Sequence, residues 1–277
     1  MIGREDPRLR DRDGLGRKLA EAARLSAAVL LAKRAARDVK LKADGSPVCS
    51  ADLAADRAAK DALAGLLPGF PVVSEETAGS VAPDAVFILL DPLDGTREFL
   101  AGGDSYCVAI AVVRDGRPIA GAIAAPELGR LWFAGEHAYV QDFAADGSVL
   151  GPERRAAVRD LPGDGPVVLV SRFHGDGRSD DIAKHMCCSK GIPISSAVKF
   201  GMIASGEADL HVRCGQTMEW DIAAGDAILS AAGGIVLTLD GALPHYGVAE
   251  REFRNPPFVA ASSEALARKA IARDPGC

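Results

Sequence analysis

The chain has 277 residues, 48% of them hydrophobic and 25% charged, enough to bury one large core or two smaller ones. Its balance of 32 basic against 38 acidic side chains, a formal charge of −6, excludes the basic footprint of a protein that binds duplex nucleic acid. No run of about 18 apolar residues could form an integral membrane segment, and the charged start MIGREDPRLRDRDG lacks the apolar stretch of a secretory signal.

Leu15 to Lys40 carries apolar residues at helical spacing (Leu19, Ala22, Ala23, Ala27, Leu30, Leu31), which predicts a long amphipathic helix. Asp44-Gly45-Ser46-Pro47 is a turn cluster, and a second helix is expected from about Ala51 to Leu67, closed by Pro68-Gly69. Phe70 to Ser74 reads as a short strand leading into Glu75 and Glu76. Ala85 to Leu90 is apolar without alternation, the pattern of a strand buried on both faces. Tyr106 to Arg114 and Pro118 to Ala125 form a hairpin pattern around Asp115-Gly116. Leu131 to Gly135 and His137 to Gln141 suggest further strands, whereas Asp142 to Asp164, rich in Gly, Pro and charge, reads as a boundary or exposed excursion.

The second half alternates again. Strands are expected at Val167 to Ser171, Ile192 to Ser195, Ala208 to Arg213 and Ile235 to Leu239. Helices are expected at Asp180 to Lys190, Phe200 to Ser205 and Ile222 to Ala232, the last stopped by Gly233-Gly234. Strands mixed with helices imply an α/β (α+β) layered protein, divided here into an N-terminal half, residues 1–142, and a C-terminal half, residues 143–277. The six cysteines form no CxxC pair, so they read as reduced thiols of a cytoplasmic protein, and the adjacent Cys187 and Cys188 receive no role. His185, His211 and His245 have no zinc-site spacing.

The chemistry concentrates in Asp91-Pro92-Leu93-Asp94-Gly95-Thr96, placed where a buried strand ends. Pro92 biases Asp91 toward extended backbone, Gly95 permits a tight turn, and Thr96 can open a helix over Arg97 to Ala101. Two carboxylates across such a turn can converge on one hard cation, and Mg²⁺ favours a few carboxylates plus phosphate oxygens. The amides of Gly95 and Thr96 would add an anion seat. The competing reading makes Asp91 and Asp94 ordinary turn and capping residues. Two further acidic clusters weigh against it: Glu75-Glu76, and Asp221 near the start of an apolar helix in Glu219-Trp220-Asp221-Ile222-Ala223-Ala224-Gly225. Trp220 reads as a core anchor. With a chain charge of −6, an anionic substrate also needs local positive charge, which metal ions would supply.

The three clusters in this order resemble the inositol monophosphatase superfamily of metal-dependent, lithium-sensitive phosphatases, over about Leu15 to Ala260. DPLDGTREFL from Asp91 to Leu100, Ser171-Arg172-Phe173-His174, Ser195-Ser196-Ala197-Val198-Lys199-Phe200 and Thr217 to Asp221 look most like its CysQ-type 3′(2′),5′-bisphosphate nucleotidases. The resemblance implies a layered α/β/α/β/α sandwich whose halves meet at a metal cleft. It implies two or three Mg²⁺ bound by Glu75, Asp91, the Leu93 carbonyl, Asp94 and Asp221. Asp52, bonded to Thr96, would help activate the attacking water, with Glu75 also in the catalytic set. Gly95 and Thr96 would hold the scissile phosphate, and Ser171, Arg172, His174, Ser195, Ser196, Lys199 and Asp221 would contact the substrate, adenosine 3′,5′-bisphosphate. The alternatives are another phosphate ester (inositol monophosphate, histidinol phosphate or fructose bisphosphate) and a non-catalytic nucleotide or metal sensor. Homodimers and peripheral attachment at the inner membrane stay open. Three positions depart from the pattern: Cys49 stands for the usual Thr, Phe173 for a small polar residue, and Asp226 for the frequent His.

Overall fold

The structure, a computed structural model, describes residues 3, 6–35, 38–41, 47–77, 85–173, 175–186 and 190–274. Two helices open the chain, α1 (Arg12–Ala32) and α2 (Ser50–Leu66), with the short strands β1 (Lys40–Leu41) and β2 (Pro47–Val48) paired between them. Asp11 caps α1 by accepting the Gly14 N–H at 2.8 Å. That helix ends eight residues before the expected Lys40, because the apolar stripe stops at Leu31 and Arg34 turns its guanidinium to the carbonyls of Phe99 and Gly103.

The first sheet has seven strands in sequential order. They are β3 (Val72–Ser74), β4 (Val86–Asp94), β5 (Cys107–Arg114), β6 (Arg117–Ala125), β7 (Arg130–Ala134), β8 (Ala138–Phe143) and β9 (Val149–Arg155), with the short helix α3 (Thr96–Ala101) after β4. Only β3 and β4 pair in parallel; the rest form an antiparallel meander. Its hairpin turns where expected, with Asp115 and Gly116 both at positive φ, 51° and 74°. The stretch read as an excursion supplies β9, an exposed edge strand whose Gly151 and Pro152 discourage further pairing.

The second sheet is built from β10 (Val167–Ser171), β11 (Lys190–Ile194), β12 (Leu210–Arg213), β13 (Ile235–Thr238) and β14 (Phe258–Ala261), in the order β11-β10-β12-β14-β13. Its helices are α4 (Gly177–His185), α5 (Val198–Ala204), α6 (Glu219–Ala231) and α7 (Glu264–Ile271). The expected helix from Asp180 starts earlier because Asp176 accepts the Ser179 N–H at 2.8 Å and caps it. Likewise α6 begins at Glu219 rather than Ile222, since Asp221 reaches back to the Met218 N–H at 2.7 Å.

Alternation along each strand sorts the layers. Val86, Ile88 and Leu90 of β4 join Leu19, Ala23 and Ala59 of α1 and α2, whereas Phe87 and Leu89 meet Ile222, Ala223 and Ile228 of α6. In β14, Phe258 and Ala260 face that same middle layer, while Val259 and Ala261 pack on Leu266 and Ala270 of α7. The order of layers is therefore α1/α2, seven-stranded sheet, α5/α6, five-stranded sheet, α4/α7, the expected α/β/α/β/α sandwich. Small residues make the middle layer thin: a Cβ on Gly225 of α6 would lie 2.2 Å from the Phe200 ring.

Candidate active site

Acidic side chains from separate elements look into the cleft between the two sheets. Asp91 and Asp94 lie at the end of β4, where Asp91 Oδ1 accepts the Leu93 N–H at 3.0 Å and the ladder with β5 slips between the two aspartates. Pro92, which has no N–H, sits in that irregularity, and the bulge re-aims Asp94. Glu75 follows β3 and is held against β4 by its own N–H, 3.0 Å from the Leu90 carbonyl. Asp221 stands in the first turn of α6, so its capping bond to Met218 also fixes its position. Asn255 steadies the same segment, donating to the Met218 carbonyl at 2.5 Å. Trp220 is buried against Phe253, a core anchor as expected.

Asp91 is fully buried, and Asp94 and Asp221 open partly on the cleft. Burial, then the charges of Glu75, Asp94 and Asp221, push the Asp91 carboxyl well above its ordinary range. Burial and then Asp94 raise Asp221. Asp94 is raised by burial to about 6, against the pull of Lys199 and of the Ala197 N–H, which it accepts at 2.5 Å. These groups oppose ionisation in one another, as an added cation would relieve. Among the described residues no three His, Cys, Asp or Glu side chains close on one point; the charges of Glu75, Asp94 and Asp221 nevertheless act together on Asp91, and these four carboxylates make the acidic wall of the cleft. All the donors are hard oxygens, the donor set that suits Mg²⁺, which keeps waters and takes phosphate oxygens.

Beside the wall, Gly95 adopts φ +95° and caps α3, a conformation that favours glycine. The Thr96 hydroxyl lies 3.3 Å from Asp52 Oδ1 and 3.3 Å from the Leu93 carbonyl. Asp52 is buried in the first turn of α2 and accepts both the N–H and the thiol of Cys49 at 2.8 Å. Burial raises its carboxyl, against those two bonds. The sulfur of Cys49 thus occupies the donor position beside Asp52.

Two cavities flank Asp94 and share Asp94, Ser171, Ser196 and Lys199. One, of about 170 Å³, is lined also by Arg213, Thr217 and Asp221. Lys199 donates to the Ser196 carbonyl at 2.8 Å, and burial lowers its ammonium to about 8 despite the opposing charge of Asp94. Arg213 ends β12, with its guanidinium 3.5 Å from the Ser171 hydroxyl of the adjacent β10. The other cavity, of about 190 Å³, runs past Gly95 and Thr96 to Glu98, Arg172, Phe173 and Ser195. Glu98, buried, accepts Arg172 at 2.5 Å and the Ser195 hydroxyl at 2.7 Å.

The structure thus gathers Asp52, Glu75, Asp91, Leu93, Asp94, Gly95, Thr96, Ser171, Arg172, Ser195, Ser196, Lys199 and Asp221 around one cleft. His174 lies outside the described residues, as do Cys187 and Cys188. Arg213 and Glu98 are the residues that sequence reasoning passed over. A charged residue closing an otherwise apolar strand was the available signal for Arg213, and Glu98 sits inside the DPLDGTREFL stretch. His211, by contrast, is structural: its ring bonds the Leu169 carbonyl at 2.9 Å and packs edge-on against Phe200 and Phe258. Asp226 also stays out of the cleft, accepting the hydroxyls of Tyr246 at 2.9 Å and Ser230 at 3.1 Å.

Residues 14–274 match the inositol monophosphatase family, to which this chain belongs, and membership makes it a metal-dependent phosphatase. Within that family it is 36% identical over 225 residues to the 3′(2′),5′-bisphosphate nucleotidase CysQ of Escherichia coli (strain K12), covering 80% of this chain and 87% of the relative. The CysQ of Buchnera aphidicola is 33% identical over 229 residues, covering 81% and 84%. The crystal structure of CysQ from Bacteroides thetaiotaomicron, a bacterial member of the same family, superposes with a TM-score of 0.72 at 28% identity, covering 91% of this chain and 97% of that one. The protein is accordingly a hydrolase acting on a small phosphate ester. No described helix is long and apolar enough to cross a membrane.

Proposed function

We propose that this phosphatase removes the 3′-phosphate of adenosine 3′,5′-bisphosphate, yielding AMP and inorganic phosphate. The observation that carries the reading is a second positive seat, Lys199 with Arg213, opening beside the acidic wall. An ester with one phosphate needs a single anion seat, whereas a bisphosphate needs two. The names of the CysQ relatives point the same way. Asp226, the feature that leans toward the inositol branch, bonds Tyr246 and Ser230 and lines neither cavity.

In this reading Glu75, Asp91, the Leu93 carbonyl, Asp94 and Asp221 hold two or three Mg²⁺. Bound there, the ions supply a water of lowered pKa and neutralise charge on the phosphate and the departing oxygen. Thr96, bonded to Asp52 at 3.3 Å, relays the proton of the attacking water to that carboxylate. The Gly95 and Thr96 amides orient the scissile phosphate. Lys199 and Arg213 fix the 5′-phosphate, Ser171 and Ser196 line both cavities, and Ser195 and Arg172 line the one that runs past Thr96.

Phosphate release from adenosine 3′,5′-bisphosphate and from inositol 1-phosphate, with Mg²⁺ and with EDTA, tests the proposal alongside Asp94→Asn. Mg²⁺-dependent preference for the nucleotide, lost in Asp94→Asn, is the expected result. Preference for inositol 1-phosphate would overturn the substrate and keep the metal chemistry.

A further inference from the structure

We infer that Phe173 is the platform on which the flat base of the nucleotide lies, an inference that rests on the nucleotidase reading above. Among the described residues, the large apolar side chains left exposed are Phe173, at 42%, and a set of Leu and Val residues, so Phe173 is the only aromatic ring in that group. It stands at the mouth of the 190 Å³ cavity that begins at Gly95 and Thr96. Phe200, Phe258 and His211 beside the neighbouring cavity are buried and packed on one another. The Phe173 ring, in contrast, meets no other ring or cation among the described residues. An exposed aromatic face at the entrance of a catalytic cleft is available to a ligand in a way those rings are not.

Net charge does not separate the two cavities, since both are lined by Asp94 and Lys199; the exposed aromatic face does. The other cavity adds the Arg213 guanidinium beside Lys199, and its rings are buried, which suits a phosphate better than a base. On the Phe173 side the Arg172 guanidinium is matched by buried Glu98 at 2.5 Å and by the Pro193 carbonyl at 3.3 Å. Arg97 and Lys199 line this cavity as well, so what marks it out is the exposed Phe173 ring, the face in it that suits a planar group. Ser195, held by Glu98 at 2.7 Å, supplies a fixed polar edge next to it. The chemical class that fits a phosphate at the acidic wall, an anion at Lys199 and Arg213 and a flat apolar face at Phe173 is a purine nucleoside bisphosphate. Stacking on such a face is tolerant of the base, so Phe173 favours nucleotides over base-free esters more than it separates one purine from another.

The test uses the full chain, Phe173→Ser and Phe173→Tyr, titrated in Mg²⁺ into 1,N6-ethenoadenosine 5′-monophosphate, whose emission is quenched when its base stacks on an aromatic ring. Wild type is expected to quench the probe; Phe173→Ser is expected to bind about tenfold more weakly without quenching, and Phe173→Tyr to restore both signals. In hydrolysis of adenosine 3′,5′-bisphosphate the same loss is expected in KM rather than in kcat. Phe173 is exposed, and a melting curve verifies that Phe173→Ser is folded. A wild type that hydrolyses the nucleotide but binds the probe without quenching, or a Phe173→Ser that binds as tightly as wild type, overturns the platform and leaves the nucleotidase reading standing. A wild type that releases no phosphate from the nucleotide overturns that reading and the platform with it.

Discussion

Asp94→Asn separates what the acidic wall does for catalysis from what it does to the fold. In the metal-free protein, burial raises the Asp94 carboxyl to about 6, with Lys199 and the Ala197 N–H opposing the rise. An unfolded Asp titrates near 3.9. Between about pH 4 and pH 6 the folded state therefore binds more protons than the unfolded one, and metal-free stability falls as pH rises through that window. Two pH units correspond to about 3 kcal/mol; because Asp94 opens partly on the cleft, solvent screening leaves about 2 kcal/mol at neutral pH. Asn removes the charge and keeps an oxygen to accept the Ala197 N–H. For a chain of 277 residues, 1 kcal/mol moves the melting temperature by about 2 °C. Melting in EDTA at neutral pH is expected to place Asp94→Asn about 4 °C above wild type, a gap that narrows toward pH 4. With Mg²⁺ the order is expected to shrink or reverse, because at the proposed metal site wild type would gain binding energy that Asn forfeits. An Asn variant that melts at or below wild type in EDTA at neutral pH refutes the argument that the carboxylates oppose the metal-free fold.

Arg213→Ala removes one cation of the second anion seat; a charge-assisted bond is worth about 1.5–3 kcal/mol, so KM for adenosine 3′,5′-bisphosphate should rise about 10- to 100-fold, with a much smaller change for inositol 1-phosphate. Gly225→Ala drives a Cβ to 2.2 Å from the Phe200 ring and is expected to cost about 1–3 kcal/mol, read as a melting temperature lower by about 2–6 °C. Cys49→Thr exchanges a weak thiol donor for a hydroxyl at the N-cap of α2, a gain of about 1 kcal/mol that thermal melting would show as a rise of about 2 °C.

Where both faces of a strand are covered, its sequence announces it: Ala85 to Leu90 lacks alternation because α1 and α2 cover one side and α6 the other. The same logic explains what stayed hidden. β4 continues through Pro92 to Asp94 by means of a bulge, which no local pattern encodes. β9 is an exposed edge, so nothing forces an apolar signature on it, and Gly151 and Pro152 disguise it further. The short apolar run of β14 and the eight residues of α7 went unassigned, although Ser263 caps that helix through the Leu266 N–H at 3.3 Å. The acidic wall was legible because its ligand types sit in compact motifs. Arg213 was not, because its place beside Ser171 follows from β12 lying next to β10, a pairing across 42 residues of chain.

That division of legibility follows the construction of the cleft. The seven-stranded sheet supplies Glu75, Asp91 and Asp94 through adjacent parallel strands whose register is set by Val72 opposite Ile88 and Ser74 opposite Leu90. The five-stranded sheet supplies Ser171 and Arg213, and the chain leaving β11 carries Ser195, Ser196 and Lys199. Between the sheets lies α6, which brings Asp221 to the first group while packing through Gly225 on Phe200, the neighbour of Lys199. One helix therefore ties the position of Asp221 to that of the Lys199 segment, the two groups that the proposed function assigns to metal and to the second phosphate. Substitutions at Ser171 or Arg213 touch the second sheet alone, whereas the loop of Ser195 to Lys199 also holds Asp94 through the Ala197 N–H at 2.5 Å. A substitution that thickens α6 moves both groups at once, and should raise KM and lower kcat together.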